Sequence, residues 1–191
     1  MDTANRKTLR LTDRILIGAF LLLALMLIGI GAARAAEIVP SVGLARTTSG
    51  DGSVKAFGGV ALRASVLPMI KTELGVAYRS EPYFNGDLNV KMVPVTASAW
   101  FTGLPMFYVG GGVGIYRTTY DYKASLGLQD QTSHEFGTHV GGGLGFPLVP
   151  GIASLDLNAR YVHLRDQGSP LDPNGFTQSF VSTALGVAIK F

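Results

Sequence analysis

From residue 36 onward, bulky apolar residues alternate with small or polar ones at a period of two, and helical spacing is hard to find. In "IVPSVGLA", Ile38, Val42 and Leu44 share one face while Ser41, Gly43 and Ala45 share the other. "FGGVALRASV" sets Val60, Leu62, Ala64 and Val66 against Phe57, Gly59, Ala61, Arg63 and Ser65. "KTELGVAYR" sets Leu74, Val76 and Tyr78 against Glu73, Gly75, Ala77 and Arg79. The same alternation runs through "VKMVPVTASAWF", "FYVGGGVGIYR", "EFGTHVGGGLGF", "SLDLNARYVH" and the terminal "VSTALGVAIKF". Eight strands are predicted, most near the roughly 9–11 residues that a tilted membrane-spanning strand needs.

The links between them alternate in kind. Short, proline-bearing turns follow the second, fourth and sixth segments, at Pro68, at "TGLP" ending in Pro105, and at "PLVPG" from Pro147 to Gly151. Proline cannot donate to a ladder and so marks strand ends. Longer polar links occupy 47–53, 80–87, 119–133 and 165–175. Short turns at one end and long loops at the other predict an eight-stranded antiparallel up-and-down transmembrane β-barrel, with both termini on the short-turn side. A soluble sandwich also alternates, but its polar face must meet water. Runs such as Gly110, Gly112, Gly114 and Gly141, Gly143, Gly145 suit a confined lumen better than a solvated surface, where strand glycine costs stability. In hydrocarbon every backbone N–H and C=O needs an internal partner, so the terminal strand must pair with the first.

Residues 1–35 read differently. A basic stretch holding Arg6, Lys7, Arg10 and Arg14 precedes an apolar run from Ile15 to Ala33, and Ala33-Arg34-Ala35 is a small-x-small site. This predicts a secretory signal peptide, 1–35, cleaved before the barrel domain at 36–191; a retained helical anchor is the alternative. The chain's basicity sits there. Sixteen basic residues less the five in this segment, and thirteen acids less its two, leave 11 of each. A nucleic-acid partner therefore has no support. With no cysteine and three histidines, thiolate chemistry and a metal site have little support either, and no cofactor is expected.

The strand "PMFYVGGGVGIYR", the strand-turn "VGGGLGFPL" and the terminal "ALGVAIKF" resemble the small bacterial outer-membrane β-barrel superfamily, which includes the X- and W-type outer-membrane proteins and the opacity-type adhesins. The resemblance implies outer-membrane localisation in contact with lipid and lipopolysaccharide. It also implies a terminal strand read by the barrel-assembly machinery. An aromatic at the strand tip, Phe191, belongs at the headgroup level, with Phe101, Phe107, Phe146 and Tyr161 as further girdle candidates.

The inward faces are expected to carry Arg63, Glu73, Arg79, Glu135, Asp156, Arg160 and Lys190, with His139 nearby. Buried charges must pair, so a salt-bridge and hydrogen-bond network filling a narrow lumen is expected, with a polar path or small cavity as the alternative. A structural, non-enzymatic protein is the resulting expectation. Its competitors are an adhesin acting through the external loops 47–53, 80–87, 119–133 and 165–175, or a narrow channel for small or apolar solutes. "RYVHLRDQGS" around His163 is similar to the histidine-bearing strand of outer-membrane lipid A deacylases. That pairing needs a serine within reach of the imidazole, whereas Arg165 stands two residues after His163 and Ser169 lies further along the loop.

Overall fold

The computed structural model describes residues 35–48, 54–83, 88–123, 129–164, 167–169, 172–176 and 179–191. The expected signal peptide lies outside them except for its last residue, Ala35. Eight strands close a barrel: β1 (Ala36–Thr47), β2 (Val54–Leu67), β3 (Ile70–Tyr83), β4 (Leu88–Phe101), β5 (Phe107–Tyr122), β6 (Gln131–Val149), β7 (Ala153–His163) and β10 (Phe180–Lys190). Neighbours in sequence pair antiparallel, and β10 pairs with both β7 and β1 to complete the circuit. The terminal stretch is thus the closing strand. Phe191 N–H donates to Ala36 O at 3.0 Å, and Ala36 N–H donates to Phe191 O at 3.3 Å.

The strands run further than the alternation suggested at the loop end. Ser80 to Tyr83 continue β3, Thr119 to Tyr122 continue β5, and Gln131 to Ser133 open β6. The expected loops 80–87 and 119–133 are shorter by those residues. Thr47 likewise closes β1. Within the expected loop 165–175, β8 (Gln167–Ser169) and β9 (Asp172–Phe176) form a separate two-stranded sheet. At the other end β6 continues to Val149, through Pro147 and a bulge.

Two prolines interrupt ladders without breaking the barrel. Between β1 and β10 the register skips from Ile38↔Ile189 to Ser41↔Gly186, passing over Pro40. Between β3 and β4 it skips from Val76↔Val95 to Arg79↔Met92, passing over Pro94. Each proline lacks an N–H for one neighbour, while Pro40↔Val60 and Pro94↔Tyr116 remain in register on the other side.

Alternation sorts the side chains into two environments. Ile38, Val42 and Leu44 on β1, Val76 on β3, Val95 on β4, Val109 and Ile115 on β5, Val140 on β6, Leu157 on β7 and Leu185 on β10 are all exposed on the outside. A continuous apolar belt of this extent is unsuited to water and suited to hydrocarbon. Phe101, Phe107, Phe146 and Phe191 lie outward toward the short-turn end, while Tyr161 lies outward toward the loop end of β7. The inside holds the charged and aromatic residues.

Candidate functional site

The lumen is filled in two storeys. Nearer the short turns is a belt of charge. Arg63 on β2 and Glu73 on β3 face each other directly in register, both inward and nearly inaccessible. Arg63 Nε and Nη2 donate to Glu73 Oε2 at 3.0 and 2.7 Å. Period two also puts Asp156, Asn158 and Arg160 on the same face of β7, across the barrel. Arg63 Nη1 reaches Asp156 Oδ2 at 2.8 Å, and Arg160 Nη2 reaches Glu73 Oε1 at 2.8 Å. Two cations and two carboxylates thus balance across the lumen, as buried ions must.

Neutral groups complete the belt. Tyr108 donates its hydroxyl to Asp156, with carboxylate oxygens at 2.9 and 3.0 Å, and receives Asn158 Nδ2 at 3.1 Å. Asn158 Oδ1 accepts from Arg160 Nε at 2.6 Å. Guanidinium planes lie over rings, Arg63 over Tyr108 and Arg160 over Trp100, each 5.0 Å from the centroid. Gly143 makes the space: a Cβ there would sit 2.4 Å from the Tyr108 hydroxyl oxygen. His139 Nε2 lies 2.9 Å from Ser98 Oγ, and its ring tilts against Trp100 at 6.4 Å.

Nearer the loops the filling turns apolar. Ala45, Met92, Tyr116, Val162, Leu164 and Phe180 pack into one buried cluster, with Phe57 against it. Arg79 is set into this storey, pairing with Glu81 at 2.8 Å and lying over the Phe180 ring at 4.2 Å. Above, Leu88, Val90, Tyr120 and Tyr122 form a second cluster between the outer ends of β4 and β5.

Of the residues expected inside, Arg63, Glu73, Asp156 and Arg160 come together, with His139 beside them. Arg79 belongs to the storey above. Glu135 stands apart, buried, with Ser133 Oγ at 3.4 Å. Lys190 is corrected: as the last residue of β10 it is exposed at the short-turn rim and not part of the network, and its register partner Glu37 pairs with Lys71. Sequence reasoning passed over Ser98, Tyr108, Asn158 and the Glu37–Lys71 and Arg79–Glu81 pairs. Parity could have found Asn158, which sits between two chosen residues on the same face.

His163 is exposed on the outside of β7. The serine near it is Ser179, whose Oγ is 3.4 Å from His163 Nδ1. That hydroxyl donates to Leu164 O at 3.2 Å and accepts from Leu164 N–H at 3.1 Å, and Ser179 is 1% exposed. A nucleophile needs its proton on the imidazole and its oxygen open to substrate; this serine meets neither condition. Among the described residues no group of three or more histidines and carboxylates is placed to hold a metal ion.

No protein-family model matches the chain, and no curated protein matches it. Solved structures do. Neisserial surface protein A superposes with a TM-score of 0.64 at 17% identity, over 82% of this chain and 99% of that one. Ail, the attachment invasion locus protein of Yersinia pestis, gives 0.55 at 14% identity, over 82% and 98%. The N-terminal β-barrel domain of Pseudomonas aeruginosa OprF gives 0.52 at 14%, over 83% and 98%. At such identities the likeness carries the fold. That fold is the small outer-membrane barrel, and the apolar belt is the surface such a barrel presents to a bilayer.

Proposed function

We propose that the protein is a structural, non-enzymatic barrel of the outer membrane whose lumen is closed by its own side chains. The observation that carries this is the Arg63–Glu73–Arg160 and Arg63–Asp156 bonding, which spans the barrel from β2 and β3 to β7 with its charges balanced. Ions crossing the lumen would have to displace bonds that buried charges cannot forgo. The terminal strand ending in Phe191 acts during insertion as the segment read by the assembly machinery, and the aromatic residues of the outer surface anchor in the headgroups of lipid and lipopolysaccharide. Single-channel recording in planar bilayers is the test. No stepwise openings are expected from the wild-type protein, and steady openings would replace this reading with that of a narrow channel.

A second reading, binding at the cell surface, is favoured by the outer ends of β5 and β6. There Arg117 on β5 and His134 on β6 are register partners, exposed on the outside. Ail has been solved in complex with the heparin analogue sucrose octasulfate, at a TM-score of 0.55 and 16% identity to this chain. Intact cells displaying the protein would be titrated with sucrose octasulfate. Saturable binding lost in Arg117→Glu supports the reading, and no binding removes it.

A further inference from the structure

Between the two storeys lies a cavity of about 110 Å³. Its short-turn side is the charged belt, through Arg63, Glu73, Asp156 and Arg160, and its loop side is the apolar cluster. The space exists because inward positions on β2 and β3 are small at this level: Gly59, Ala61, Gly75 and Ala77 have no side chain long enough to fill it. For scale, an apolar cavity of about 150 Å³ takes up benzene, so this one has room for a molecule smaller than an aromatic ring.

Among the residues lining the cavity are Tyr116 and His139, whose hydroxyl and Nδ1 are buried and have no hydrogen-bond partner among the described residues. The residues are 1% and 3% exposed. A buried polar atom left without a partner is costly. Both can act in either sense. Phenols donate and accept, and the His139 tautomer is set by which way its bond to Ser98 runs. The surrounding charges are already matched, Arg63 and Arg160 by Glu73 and Asp156, and Arg79 by Glu81. An ionised ligand would bring a charge with no counterpart.

We infer that this cavity is a binding site for a neutral, compact molecule smaller than benzene, with a short apolar body and one hydroxyl group, of the class of the small aliphatic alcohols. The hydroxyl supplies a partner for Tyr116 or His139, and the apolar body lies against the small residues of β2 and β3. This goes beyond the closed-lumen reading and stands or falls separately, since conductance tests the one and saturable binding the other.

2-Propanol is the probe, and Trp100 is the reporter: it is the only tryptophan of the chain and packs on His139. The folded, detergent-solubilised protein would be titrated with 2-propanol, propane and acetate while Trp100 emission is followed. Saturable binding is expected for 2-propanol, about tenfold weaker for propane, and absent for acetate. Tyr116→Phe should weaken 2-propanol several-fold and leave propane unchanged. Ala77→Leu, which fills the space, should abolish binding; Ala61→Val serves the same purpose if that variant loses its heat-modifiable migration on gels. A cavity that holds water only gives no saturable 2-propanol signal, and that result overturns the inference. So does 2-propanol binding that survives a correctly folded cavity-filling variant.

Discussion

Replacing Glu73 by glutamine probes the belt at its centre. Glu73 is 1% exposed and accepts three bonds, two from Arg63 and one from Arg160. Hydrogen bonds to charged groups contribute about 1.5–3 kcal/mol each, so roughly 5–9 kcal/mol of gross interaction meets at one carboxylate. Desolvating that carboxylate offsets several kcal/mol. Glutamine keeps one acceptor but turns an NH₂ toward the other guanidinium, and the four-residue cluster goes from neutral to a net positive charge. Breaking a buried pair from one side costs about 3–5 kcal/mol, a large part of the roughly 5–15 kcal/mol by which folded proteins are stable. Equilibrium urea unfolding from lipid vesicles, followed by Trp100 emission, measures the loss. Arg160→Met in the same background restores neutrality, so the double variant should lie about 1–3 kcal/mol above the sum of the singles. If Glu73→Gln falls within about 1 kcal/mol of wild type, or the two changes add without coupling, the belt does not hold the lumen as argued.

Other expectations are simpler. Gly110→Val should prevent formation of the heat-modifiable barrel, since a Cβ at Gly110 would lie 2.0 Å from Ala99 O; Gly145→Ala, with nothing within 4 Å, should fold and gain about 0.5–1 kcal/mol in the same unfolding assay. Lys91→Ala removes a pair at 2.6 Å to Asp121 on the outer rim, where solvent and salt screen it, and should leave the unfolding midpoint unchanged at 0.15 M salt. Removing Phe191 deletes its two backbone bonds to Ala36; slower appearance of the folded band on insertion into vesicles and a loss of about 1–2 kcal/mol are expected.

The barrel was legible in the sequence because a lipid-facing strand has only two environments, and alternation reaches full contrast where one side is hydrocarbon. Where strands rise beyond the belt that contrast fades. Tyr120 and Tyr122 are buried inside β5 while Thr119 and Asp121 alternate with them, yet all four are polar or amphipathic and read as loop. The belt was legible as a set of inward charges but not as a set of bonds. Arg63 faces Glu73 only because a bulge between Ser65 and Leu67 shifts the register by one residue after the turn. Without it Arg63 would oppose Leu74, and a one-residue slip of that kind is invisible to pattern reading. The bonds from β7 to β2 and β3 depend on barrel stagger, which no single strand encodes.

Glycine and alanine do opposite work on the two walls of the lumen. On β5 and β6 two inward glycines, Gly137 and Gly143, are overlaid by large side chains. A Cβ at Gly137 would meet Leu164 at 2.4 Å and Tyr116 at 2.8 Å, and one at Gly143 would meet Tyr108. There the missing side chain is the condition for tight packing. On β2 and β3 the neighbours of the glycines are themselves small: Gly59 meets Ala77, and Gly75 meets Thr96 and Ala61. No ring is among the nearest neighbours of Gly59 or Gly75, and the same residue class leaves a hollow. The wall that carries aromatics sets the shape of the lumen, and the wall of small residues opposite sets where it stays unfilled. That asymmetry places the cavity beside Arg63 and Glu73, where glycine and alanine alternate on β2 and β3.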